Sequence, residues 1–110
     1  NAVYSIIEDK TGKMWFGTSE GLSSYDGTIW TSYTIDNVLP NSLVFSIAVD
    51  DQNNKWVGTG AYLMKFDGQN WSTHYDWDIY GPGCIQTITI DENGAVWVGS
   101  CADGVWKYEQ

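Results

Sequence analysis

An aspartate, a glycine or asparagine, a tryptophan and a second glycine recur at a fixed step of 41 residues, and that period limits the fold more than any local propensity does. Asp9, Gly12, Trp15 and Gly17 return as Asp50, Asn53, Trp56 and Gly58, then as Asp91, Gly94, Trp97 and Gly99. Thr18, Thr59 and Ser100 keep the same step. An apolar stretch leads into each aspartate (VYSIIED, VFSIAVD, IQTITID), and a second strand starts at each tryptophan. A third strand follows in GLSSYDG, YLMKFDG and GVWKYEQ. A fourth, TIWTSYT or QNWSTHYD, is present in two copies.

Four short antiparallel strands per repeat of about 40 residues predict an all-β chain built of β-propeller blades. The blades are placed at 3–34 and 44–76, with a three-stranded third at 85–110. The turns DKTG, DQNN and DENG join strands one and two of each blade. In such a turn an aspartate bonds its own backbone two residues on, and Gly or Asn supplies a positive φ. The tryptophan after the turn is expected to pack between neighbouring sheets, and the glycine two residues later to admit a close backbone. The dipeptide Asp-Gly at 26–27 and 67–68 marks the turn between strands three and four.

The first repeat, SIIEDKTGKMWFGTSEGLSSYDGTIWTSYTIDNVLPNSLV, resembles the two-component regulator propeller repeat along its whole length. Later copies depart from that pattern in three places: Asn53 stands for Gly, Gly60-Ala61-Tyr62 replaces x-x-Gly, and Cys101-Ala102-Asp103 adds one residue. The resemblance implies an extracytoplasmic sensor domain of a hybrid two-component system. In that family the ligand is often an oligosaccharide, and the propeller itself performs no chemistry.

Composition agrees with a packed core and narrows the partners. The chain is 43% apolar and 15% aromatic, with seven Trp and seven Tyr beside twelve Gly. Fourteen acidic groups face five Lys and no Arg, a formal charge of -9 that repels nucleic acid and anionic membranes. No apolar run reaches the roughly 18 residues of a membrane span. No cofactor or metal is expected, because the acidic residues lack the spacing of a calcium loop.

The letters GTSEG at 17–21 fit the G-x-S-x-G signature of serine hydrolases. Ser19 nevertheless lies between two strands and corresponds to Gly60 and Cys101 in the other repeats. The only histidine, His74, falls on an outer strand. The segment reads as scaffold, and so does Asn70-Trp71-Ser72, whose glycosylation pattern lies within a repeat strand.

Binding is expected on the propeller face that gathers the connections 34–43 and 76–84, since function concentrates on loops held by a rigid frame. Trp77 and Tyr80, flanked by Asp76 and Asp78, suit stacking on a sugar ring and bonding to its hydroxyls. Glu20, Tyr62 and Asp103 join them from shorter loops. The same rings also suit a blade edge or a subunit contact, and both readings stand. An acidic lyase or glycosidase site on this face is the alternative in another class, although no carboxylate pair is fixed by the spacing. A purely structural ring is a third.

Cys84 and Cys101 flank the third blade's first hairpin at positions whose sum nearly matches its register, so a disulfide or two buried thiols are both compatible. The disulfide favours an extracytoplasmic setting. Two and three-quarter blades leave two blade faces bare. They are covered either by further blades of a longer chain or by a second copy joined head to tail, and a homodimer closing a six-bladed ring is the favoured expectation.

Overall fold

The computed structural model describes residues 2–33, 43–59, 62–76, 85–100 and 104–108, with only the backbone described at 73–76, 85 and 100. Among these there are eleven strands and no helix. The first blade holds β1 (Val3–Glu8), β2 (Met14–Thr18), β3 (Gly21–Tyr25) and β4 (Trp30–Tyr33). The second holds β5 (Val44–Val49), β6 (Lys55–Thr59), β7 (Tyr62–Phe66) and β8 (Trp71–Asp76), and the third β9 (Ile85–Ile90), β10 (Val96–Ser100) and β11 (Val105–Tyr108). Each sheet is an antiparallel meander in chain order. The expected blades of four, four and three strands are therefore present. First strands contact first strands from blade to blade, which places β1, β5 and β9 innermost.

Turn chemistry fixes the hairpins as the sequence predicts. Asp9, Asp50 and Asp91 each accept, at Oδ1, the backbone N–H two residues on, at 2.9, 3.0 and 2.9 Å. Gly12, Asn53 and Gly94 close these turns at φ of 91°, 65° and 85°. Asn53 is the one non-glycine with positive φ among the described residues, a conformation asparagine tolerates better than most side chains.

A feature the sequence did not disclose is a bulge repeated in every innermost strand. The register with the second strand shifts between Val3 and Ser5, between Val44 and Ser46, and between Gly99 and Ser100. One residue, Tyr4, Phe45 or Gln86, is thereby left without a partner in the ladder. An extra residue bends the strand and increases its twist, which suits the crowded centre of a propeller.

Two cores lie between the sheets. Trp15 and Leu22 of the first blade meet Ile47, Val57, Met64 and Phe66 of the second. Trp56 and Leu63 of the second meet Ile88, Val96 and Val98 of the third. Gly17 is required for the first junction, because a Cβ there would stand 2.8 Å from Val44 Cγ1 and 2.9 Å from the Val44 carbonyl oxygen.

Candidate functional site

Antiparallel connectivity divides the turns between two faces. The β2–β3 turns and the starts of β1, β5 and β9 share one face; the aspartate turns lie opposite. On the first face Thr18 organises the GTSEG segment, accepting the Glu20 N–H at 3.1 Å and donating to the Gly21 carbonyl at 2.9 Å. Thr59 repeats the arrangement with Tyr62. Ser19 Oγ accepts the Ala2 N–H at 3.3 Å, and the Ser19 N–H donates to the Ala2 carbonyl at 2.9 Å. This is a strand-to-strand turn tied to the start of β1, the scaffold that the sequence implies, and not a strand-to-helix elbow.

Of the expected ligand residues, Glu20 is exposed on this face. Tyr62 is half-buried and packs against the first inter-blade core. Asp76 closes β8 with its backbone paired to Tyr62. Trp77, Asp78, Tyr80 and Asp103 lie outside the described residues, as do Cys84 and Cys101. The β9–β10 ladder ends on the pair Ile85 and Ser100.

The opposite face holds most of the polar chemistry among the described residues. Asp9 Oδ1 accepts from the Thr11 N–H, the Thr11 hydroxyl and the Lys13 N–H, while Oδ2 takes the Trp15 indole N–H at 2.9 Å. The same indole bond joins Trp56 to Asp50 at 3.1 Å and Trp97 to Asp91 at 2.9 Å. Each aspartate therefore fastens its own turn to the tryptophan six residues on. The period shows that the two residues recur together; it does not show that they are bonded.

The first junction adds a buried ion pair that sequence reasoning missed. Lys55 of the second blade reaches Asp9 Oδ2 of the first at 3.1 Å, and its ammonium also lies 5.1 Å from the Trp15 ring centroid. Lys55 Nζ donates to the Asn53 carbonyl at 2.9 Å, and Asn53 Oδ1 accepts the Lys10 N–H of the first blade at 2.7 Å. The available signal was a lysine standing where the other repeats carry Met14 and Val96. Asp50 Oδ2 instead takes the Asn54 amide of its own turn at 3.0 Å, a bond within the second blade.

These contacts set the carboxylate acidities. Burial of Asp9 favours its neutral form, but the bonds from Thr11, Trp15 and Lys55 outweigh it and hold the carboxyl well below the usual range. Burial opposes ionisation of Asp50 too, and bonds from Trp56, Asn54 and Gln52 win. Asp91 is lowered chiefly by the Trp97 indole. A depressed folded pKa gives stability that is complete above the unfolded value of about 3.9 and is lost as pH falls toward the folded value. The urea midpoint should therefore stay level from neutral pH to about pH 5 and drop below about pH 4. Asp9→Asn should flatten that drop, and equal midpoints at pH 3 and pH 7 would refute the assignment.

Between the second and third blades this face opens into a groove of about 640 Å³, bordered by Asp50, Asp51, Asp91 and Glu92, with Lys107 as its cation. Asp50 and Asp91 are engaged in their turns. Among the described residues no group of three His, Cys, Asp or Glu side chains is placed to hold a metal.

Repeated four-stranded meanders, packed sheet on sheet about their first strands, define the class: these are blades of a β-propeller. Residues 1–20 match the family model described as two component regulator propeller, the family whose repeat the sequence resembles. No curated protein matches the sequence. Among solved structures, the chain is similar to the extracellular domain of BT3049 from B. thetaiotaomicron, described as a hybrid two component system. That likeness has a TM-score of 0.84 and 22% identity over 99% of this chain and 16% of the other. It is also similar to the extracellular domain of BT4673 from the same organism, likewise described, with a TM-score of 0.81 and 23% identity over 100% of this chain and 15% of the other. The chain thus spans about one sixth of the length of each structure it matches.

Proposed function

We propose that this chain is a recognition module of sensor type, whose work is binding rather than bond-making. The observation that carries the reading is its superposition, over nearly its full length, on extracellular domains of proteins described as two component systems. The proposed setting is accordingly extracytoplasmic. The repeated carboxylates support the reading, because Asp9, Asp50 and Asp91 are engaged in holding turns and indoles rather than presented as an acid and base pair.

The proposed ligand is an oligosaccharide, bound on the face that carries Glu20. There Trp77 and Tyr80 supply apolar ring faces, and Asp76, Asp78, Glu20, Tyr62 and Asp103 supply hydrogen-bonding groups. Aromatic rings with a few convergent polar groups fit the amphipathic faces of a sugar. Calorimetry and product analysis over a panel of neutral oligosaccharides test the proposal. The expected result is saturable binding of at least one glycan without turnover, weakened at least tenfold by Trp77→Ala. Absence of binding across the panel would overturn the ligand class, and cleavage of a glycan would overturn the non-catalytic reading.

A further inference from the structure

Each innermost strand carries its bulge at its second residue, beside the face that holds the β2–β3 turns. The bulge changes the phase of the strand. Val44 pairs with Thr59 and Ser46 with Gly58, consecutive residues of β6 that face opposite sides of the sheet. Val44 accordingly lies against Gly17 of the first blade, whereas Ser46 Oγ accepts the Ile88 N–H of the third. Phe45, between them, belongs to neither inter-blade core. With β6 along one edge of its strand, the direction left to it is the inner edge, toward the axis about which the first strands are arranged. Tyr4 is its equivalent on β1, and the two rings meet at 5.2 Å with their planes 46° apart. Gln86, the third equivalent, is exposed. Phe45 has a blade on either side and is still partly exposed, so its exposure belongs to the inner edge and not to an outer blade face.

We infer that Tyr4, Phe45 and Gln86 form the floor of a saccharide site where the axis opens on the loop face, and that the sugar taken there is uncharged. The inference rests on the oligosaccharide reading above and gives that ligand further residues and a charge class. A pyranose presents C–H groups on its ring faces and hydroxyls around its edge. The two rings supply apolar surface for the first. The Tyr4 hydroxyl, which bonds no other described residue, and the Gln86 amide supply donors and acceptors for the second. Re-aiming a side chain beside a site is a recurrent use of a bulge.

The charge class follows from where the cations stand. The chain has five lysines and no arginine. Lys10 lies in the first aspartate turn, Lys13 and Lys55 at the entry to β2 and β6, and Lys65 and Lys107 next to the ends of β7 and β11. All five are therefore gathered toward the aspartate turns, and four of them stand over tryptophan rings. This chain's share of the loop face carries the exposed Glu20 and no cation. A carboxylate or sulfate on the ligand would meet a like charge there and no opposite one.

Calorimetry with the neutral tetrasaccharides of glucose, galactose, mannose and xylose, and with tetragalacturonate as the anionic counterpart, tests the inference on the wild type, Phe45→Leu and Phe45→Tyr. Leucine keeps apolar bulk without the ring; tyrosine keeps the ring. Phe45→Leu should weaken the best neutral tetrasaccharide at least tenfold, and Phe45→Tyr should bind as the wild type does. Urea midpoints should match in all three, because the residue lies outside both cores. Tetragalacturonate should bind at least tenfold more weakly than the best neutral tetrasaccharide. Wild-type affinity in Phe45→Leu would overturn the inference, and a simultaneous loss in Trp77→Ala would leave the oligosaccharide reading intact. A lowered urea midpoint in Phe45→Leu would make the ring a packing group and overturn it too. Equal binding of tetragalacturonate would overturn the charge class, and failure of every tetrasaccharide would overturn the inference and the reading together.

Discussion

Trp56→Ala is expected to destabilise the chain by about 3–5 kcal/mol, the range for removing a fully buried large aromatic side chain. Its indole fills the core between the second and third blades, bonds Asp50, lies against Tyr108 and carries the Lys65 ammonium 5.3 Å above the ring. Truncation opens a cavity and removes a donor from Asp50 at once. Against a total stability of roughly 5–15 kcal/mol, that loss should separate the third blade from the other two well before global unfolding. Trp15→Ala should cost a similar amount at the first junction. Trp97→Ala should cost the monomer on the order of 1 kcal/mol, because its ring lies on an open face. Urea unfolding of the three variants at low concentration checks the order, and equal losses would show that the three repeats do not differ in environment.

Asp9→Ala should be as damaging, by about 3–5 kcal/mol, for a different reason. The change removes the acceptor that orders the turn at 9–13 and leaves Lys55, itself buried, without its carboxylate. Breaking one side of a buried pair costs far more than replacing both sides by apolar groups. Asp9→Ala with Lys55→Met should therefore be more stable than Asp9→Ala alone, since methionine already serves at the equivalent position 14. Asp50→Ala should cost about 1–3 kcal/mol, because it strands neutral donors rather than a charge. A double variant no better than Asp9→Ala would mean that the ion pair carries no coupling.

The architecture was legible because a period of 41 residues is a global signal, and the turns were legible because Asp, Gly and Asn act locally. The burial of Trp15 and Trp56 and the close approach over Gly17 also follow from residue type and position. What stayed hidden depends on geometry across strands or blades. A bulge at Tyr4, Phe45 and Gln86 leaves no mark in residue type, since a tyrosine, a phenylalanine and a glutamine share the position. The pairing of Lys55 with Asp9 joins residues of different blades, and neither the period nor a local motif relates them. The acidic groove likewise arises from two turns that are distant in the chain. The β2–β3 turns share a face by strand connectivity alone, whereas the packing of Tyr62 into a core depends on contacts between blades.

The central claim is that the repeated aspartates and tryptophans are the fastenings of a propeller, equivalent in role and different only in what covers them. Hydrogen exchange of the indole N–H groups, followed by nuclear magnetic resonance at low chain concentration, tests it most directly. The Trp15 and Trp56 indoles should exchange slowly, through large-scale opening, and the Trp97 indole faster, as its bond to Asp91 lies on an open face. Rapid and equal exchange at all three would contradict the claim, because carboxylates free of their indoles would hold neither turns nor blades together.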